Sequence, residues 1–217
     1  MNKISVLLLA AAVFSINLAK ADETRVFQVT ITNLTRGQIF SPVFAITHNG
    51  DHTLFRMGEP ASDELAALAQ DADTDKLIGL LSATPGTQEI VLGNSVILPG
   101  HSETILIHSN HDNRYLSLAA MLVSSNDAFM GINKIRLPKK ARKISVPAYD
   151  AGAEANDESC SYIPGPPCGN ADAASAVAGE GFVHIHAGIH GIGDLDAAQF
   201  DWRNPVAKVS IRRVREY

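Results

Sequence analysis

The sequence lacks the features of several large protein classes. Acidic residues outnumber basic ones by 23 to 18, and the only compact basic run is residues 139–143. A nucleic-acid-binding protein presents a basic face, so we expect no nucleic-acid partner. Charged residues make up only 19% and hydrophobic residues 46% of the 217 positions, a balance that allows a buried core and excludes a disordered tail.

Catalytic sequence motifs are also missing. The chain has no G-x-S-x-G elbow, no H-E-x-x-H helix, no phosphate-binding Walker loop and no strand-linked G-x-G-x-x-G fingerprint. Serine, histidine and aspartate are present, but no motif orders them into a triad. We therefore predict a protein that is not an enzyme, and assign no catalytic residue.

The first 21 residues have the pattern of a secretory signal peptide. Lys3 is followed by an apolar stretch, residues 4–18, and by the A-x-A site Ala19-Lys20-Ala21. The alternative, a membrane anchor, needs roughly 20 apolar residues, and no later stretch reaches that length. We predict a signal peptide at residues 1–21, an exported domain at residues 22–217 that is periplasmic or secreted, and no transmembrane segment after cleavage.

The two cysteines, Cys160 and Cys168, enclose a loop rich in proline and glycine. In an oxidising compartment this favours a disulfide that holds a local shape. The alternative is a metal site with two thiolates, whose spacing does not fit the common zinc patterns.

Short apolar runs, many with alternating polarity, dominate the chain. They are separated by glycine, proline, asparagine and aspartate, and they lie at residues 26–34, 40–47, 89–92, 103–108, 115–123, 129–135, 144–146, 182–187 and 206–214. This pattern predicts an all-β fold, an antiparallel β-sandwich. Residues 62–69 and 74–81 carry helical spacing after capping residues, and we expect this helical insertion to cover one end of the core.

Two loop segments, Ser124 to Gly131 and Pro147 to Glu154, resemble the spondin N-terminal domain family. The family has an acidic loop before a glycine-containing strand and, some twenty residues on, an Asp-Ala-Gly-Thr loop; the second segment here contains Asp150-Ala151-Gly152-Ala153. Residues 58–69 also resemble the helical insertion of bacterial members. The family tryptophan is replaced by Ala128-Phe129 and its threonine by Ala153. The resemblance extends over roughly residues 24–214.

The resemblance implies a sandwich of about eight or nine strands with a divalent cation, calcium, in acidic loops at one end. Matched position by position, Asp127 and Asp150 are the expected ligands and Glu154 a weaker one. The implied function is an exported binding or adhesion module. Its partner would be an extracellular or envelope protein or glycan, which the sequence does not identify.

A second candidate site lies in the sequence Phe182 to Gly191. His184 and His186 would share one face of a strand, and His190 could fold back towards them. Three imidazoles can hold copper or zinc, which makes a periplasmic metalloprotein the alternative function. The plainer interpretation is a strand with a buried Val183 and Ile185 face and hydrogen-bonded histidines on the other. We expect this chemistry to be separate from the aspartate loops, because imidazole is a poor calcium ligand. A structural envelope protein with both sites empty is the third possibility.

Overall fold

The computed structural model describes residues 24–169 and 177–214. The predicted signal peptide lies outside these residues. The described part of the chain contains ten strands and three helices: β1 (Arg25–Asn33), β2 (Phe44–His48), α1 (Asp63–Asp71), α2 (Asp75–Ser82), β3 (Thr87–Leu92), β4 (Ser102–Ser109), β5 (Tyr115–Met121), β6 (Ala128–Arg136), β7 (Arg142–Val146), β8 (Ala148–Asp150), β9 (His184–Ile185), α3 (Ala197–Phe200) and β10 (Ala207–Val214).

The strands form two antiparallel sheets. One has four strands in the order β4-β1-β10-β7, and the other has six in the order β3-β2-β5-β6-β8-β9. Strands β1 and β10 pair along eight residues, from Val26 opposite Val214 to Asn33 opposite Ala207. The first and last described strands therefore lie side by side, and the all-β sandwich predicted from the sequence is confirmed.

The main core lies between the two sheets. The alternating residues Phe27, Val29 and Ile31 of β1 are all buried there, together with Leu118 and Met130 of the facing sheet. Alternation places every second side chain of a strand on the same face. The apolar pattern of residues 26–34 predicted this arrangement from sequence.

A second core covers the outer face of the six-stranded sheet. Leu65 and Leu68 of α1 and Leu77 of α2 pack with Phe44 and Phe129 of the sheet. Both helices were predicted from the sequence, but the expected place was wrong: they cover a face and not an end of the sandwich. Strand β5 consequently carries buried side chains on both faces, from Leu116 to Met121.

Strand β8 was not predicted, because residues 148–150 were assigned to an acidic loop. Pro147 separates it from β7, and the two strands belong to different sheets. Proline has no N–H to donate to a ladder, so pairing stops there and the chain crosses from one sheet to the other. Strand β8 then pairs with β6 on one side and β9 on the other.

The predicted disulfide between Cys160 and Cys168 is confirmed. Its loop is also held by backbone: Gly165 N–H donates to the carbonyl oxygen of Val123 at 2.8 Å. Within the described residues, no helix is long and apolar enough to cross a membrane.

Candidate cation site at the end of the six-stranded sheet

Asp127 and Asp150 lie next to each other because of strand pairing. Asp127 immediately precedes β6, and Ala128 is the register partner of Asp150 at the end of β8. Both aspartates are fully buried. The two acidic loops predicted from sequence therefore converge at one edge of the sheet.

One side of the Asp127 carboxylate is held by backbone. Its Oδ2 accepts hydrogen bonds from the N–H groups of Ala153 at 2.7 Å and Glu154 at 3.1 Å. Its Oδ1 is buried without a hydrogen-bond partner. Burial, followed by the charge of Asp150, raises the pKa of Asp127 to about 8. Negative charge is thus unfavourable here unless a positive charge balances it.

Asp150 is oriented by the turn that follows it. Its Oδ1 accepts from Gly152 N–H and its Oδ2 from the Asn156 side-chain amide, both at 2.7 Å. Gly152 has φ +66°, and a Cβ there would lie 2.4 Å from the carbonyl oxygen of Phe182. Only glycine fits this turn, which holds the Asp150 loop against the start of β9.

Strand β9, which contains His184, brings the histidine segment of residues 182–191 next to Asp150. Its two residues pair with β8, and His184 is the register partner of Asp150. His184 Nε2 lies 3.7 Å from Asp150 Oδ1 and 3.5 Å from Glu180 Oε2. His186 Nε2 lies 3.7 Å from the other oxygen, Asp150 Oδ2. The expectation of two separate sites is wrong, because Asp150 belongs to both.

The hydrogen bonds of the two imidazoles define different roles. His184 Nδ1 lies 3.0 Å from the Ile185 carbonyl oxygen, which can only accept, so Nδ1 carries the proton and Nε2 has a free lone pair when the ring is neutral. His186 Nδ1 accepts from Gly188 N–H at 2.9 Å, so its neutral ring carries the proton on Nε2. His184 is thus the potential ligand, whereas His186 directs an N–H towards Asp150.

The electrostatics of the two rings also differ. Burial lowers the pKa of His184, but its contacts with the Ile185 carbonyl and with the carboxylates of Asp150 and Glu180 outweigh burial, and the net shift is upward. For the more deeply buried His186, burial dominates over the attraction of Asp150 and lowers the pKa. The carboxylates therefore favour a positive charge at His184 Nε2.

Three of these residues form a candidate ligand group that could hold a metal ion. One ligand atom each from Asp150, Glu180 and His184 lies within 4.8 Å of the other two. Asp127 and Glu154 are buried beside the group but are not members of it. Sequence reasoning missed Glu180, whose only signal is its position four residues before His184.

His190 is not brought to this group. Its side chain is exposed, and with His186 and Trp202 it lines an open cleft of about 480 Å³. The buried Glu158 carboxylate holds the backbone there, since it accepts from the N–H groups of His190, Gly191 and Ile192 at 2.5, 2.7 and 2.9 Å. The proposed triple of His184, His186 and His190 does not converge on one point.

The described residues form an antiparallel β-sandwich with a carboxylate-rich end. The Spondin_N family model matches residues 25–165, and the chain belongs to this spondin N-terminal domain family, whose members are extracellular binding domains and not enzymes as a class. No match was found among curated proteins. The matched segment contains Asp127, Asp150 and Glu154 and ends before Glu180 and His184, so the ligand group combines residues from inside and outside it.

Proposed function

We propose that the protein is an exported binding module that holds one divalent cation between Asp150, Glu180 and His184. The observation that carries this proposal is the position of the His184 Nε2 atom, which is buried without a hydrogen-bond partner and faces carboxylate oxygens of Asp150 and Glu180 at 3.7 and 3.5 Å. Both separations are longer than those of ordinary N–H···O hydrogen bonds. They are close to the roughly 3.3 Å between two ligands of one tetrahedral zinc ion.

The charge of the surroundings supports a cation. Asp127, Asp150 and Glu154 are three buried carboxylic acids within one loop cluster, and the charge of Asp150 and that of Glu154 both raise the pKa of Asp127. Buried carboxylates of like charge are costly unless they are paired or bind a metal. A divalent cation at Asp150 offsets the repulsion for all three.

The donor set favours a zinc-like ion over calcium. Calcium takes six to eight oxygen ligands, and the carboxylates here fit it, but the imidazole nitrogen at the centre of the group does not. One imidazole and two carboxylates suit zinc, whose protein sites accept both donor types. Three protein ligands leave a coordination position open, and Glu180 is 42% exposed at its rim.

The open position gives the site its role in binding. An exposed ion with a free position can accept a carboxylate or hydroxyl oxygen from an extracellular or envelope protein or glycan. The ion also joins the loop after β8 to the segment before β9. We propose that partner binding requires the ion, so a chelator would weaken both loop order and binding.

The test is metal analysis of the purified mature protein with thermal unfolding in zinc, copper or calcium. We expect about one zinc per chain. At a hundredfold excess over the dissociation constant, zinc would stabilise by about 2.7 kcal/mol, or roughly 5–10 °C. His184→Gln and Glu180→Gln should abolish both signals, whereas the matched control His190→Gln should keep them.

Other outcomes separate the candidates. One such outcome is that calcium binds in place of zinc, and that Asp127→Asn loses this calcium while His184→Gln keeps it. This result would support the oxygen-only ligands implied by the resemblance. Copper lost in His190→Gln would support the three-histidine alternative. If none of the three metals binds or stabilises the wild type, the cation proposal fails.

A further inference from the structure

A positively charged pocket lies at the opposite end of the sandwich from the cation site. It has a volume of about 340 Å³. Its lining residues come from the start of β1, the ends of β4, β6 and β10, and the loops beside them: Arg25, Phe27, Ser109, Arg114, Arg136, Leu137, Pro138, Lys139 and Arg213. Five of these nine residues are cationic, and none of the described lining side chains is acidic.

The sequence concentrates positive charge at this end in spite of a net charge of −5. Between Asp127 and Asp150 there is no acidic residue, yet that stretch has six cationic residues: Lys134, Arg136, Lys139, Lys140, Arg142 and Lys143. Strand β6 starts directly after Asp127 and ends at Arg136. The acidic and basic ends are therefore separated by the length of a strand.

Strand register places the pocket arginines, from distant parts of the chain, at the same end of the sandwich. Arg25 is the partner of Ser109 in the β1–β4 pair, and Arg213 is the partner of Phe27 in the β1–β10 pair. Arg136 is the partner of Tyr115, one residue after Arg114. Arg25 and Arg114 are half-buried. Their stems are thus packed, which limits the entropy that a bound ligand must remove.

We propose that this pocket binds a phosphate or sulfate group. Guanidinium groups present paired N–H donors that match the oxygens of a tetrahedral anion, and Arg114 and Arg136 both line this pocket. The small pocket holds one such group with a short apolar portion against Leu137 and Pro138. This inference uses no residue of the proposed cation site and stands independently of it.

Titration calorimetry with two probes tests the proposal and distinguishes the two possible sources of the bound phosphate group. Inorganic pyrophosphate represents a soluble ligand, and phosphatidylcholine vesicles containing phosphatidic acid represent a lipid headgroup. We expect the wild type to bind at least one probe, and the double variant Arg114→Gln/Arg136→Gln to weaken binding by about tenfold or more, since a hydrogen bond to a charged group contributes enough for such a factor.

The matched control is Lys140→Gln/Lys143→Gln, which removes the same charge from exposed residues outside the pocket. It should change the affinity by no more than about twofold to threefold. A third variant, Arg136→Lys, keeps the charge and removes the paired donors, and it should weaken binding even if the double variant folds poorly. Absence of binding to both probes overturns the proposal, as does an equal loss in the lysine control.

Discussion

At the residue scale, His48 is a buried base that belongs to neither proposed site. It has no exposed surface. Its Nδ1 accepts from Gly50 N–H, and its Nε2 lies at the same 3.1 Å from Ser117 Oγ. Burial, together with the nearby His52 and Lys134, lowers its pKa from 6.5 to about 4. Protonation of the neutral ring would place a proton on Nδ1, where it would point at the Gly50 N–H. The folded protein therefore keeps this imidazole neutral.

His48 should make the protein sensitive to acid. Its pKa is lower in the folded than in the unfolded state, so its contribution is complete above about pH 6.5 and is lost as the pH falls towards 4. The loss should reach at most about 3 kcal/mol, since one pKa unit corresponds to about 1.4 kcal/mol. Urea unfolding from pH 7.5 to 4.5 measures it.

The variant His48→Gln isolates this effect from other titrating groups, because its free energy of unfolding should fall less with acid than that of the wild type. The exposed His101→Gln should follow the wild-type profile. Parallel profiles for His48→Gln and the wild type would show that His48 does not control the acid response.

Some residues of the candidate cation site could be predicted from the sequence and others could not. Asp150 lies in an Asp-Ala-Gly turn whose glycine is required by its positive φ, and such a local motif is visible in sequence. Glu180 and Glu158 belong to irregular segments, and their roles depend on where distant backbone lies. Local patterns do not contain that information.

At the element scale, α1 begins with a side-chain cap. Ser62 Oγ accepts from Leu65 N–H at 3.3 Å, whereas Thr74 at the start of α2 makes no such bond. We expect Ser62→Ala to destabilise the fold by about 1 kcal/mol, which is roughly 2–4 °C in the thermal midpoint. Thr74→Ala is the matched control and should change the midpoint by less than half as much. Equal losses would mean that the cap bond does not matter.

Long elements were predictable and short ones were not. The strands β1 and β10 have eight or nine residues with strong alternation, and both helices have capping and apolar spacing. Strand β8 has three residues and β9 two, which is too few for a periodic signal. The pairing of these two strands places Asp150 beside His184. The sequence therefore predicted the acidic loops and the histidine segment as candidate sites, but not that the two lie side by side.

At the scale of the whole molecule, the disulfide closes the loop of residues 160–168, whose Ile163 is buried in the main core. Replacing both Cys160 and Cys168 by serine should lower the free energy of unfolding by about 2 kcal/mol, since the closed loop is short. Differential scanning calorimetry of the variant and of reduced wild type should give the same lowered midpoint. An unchanged midpoint would show that hydrogen bonds such as Gly165 N–H to Val123 hold the loop alone.

The length of β6 has a consequence for how the molecule approaches a surface. Its nine residues span roughly 30 Å, with buried carboxylates before its first residue and a cluster of arginines around its last. The two ends of that strand therefore differ in their charged groups. We expect an anionic surface to attract the arginine end first, which would leave the loops of Asp127 and Asp150 facing the medium, where a second partner can reach them.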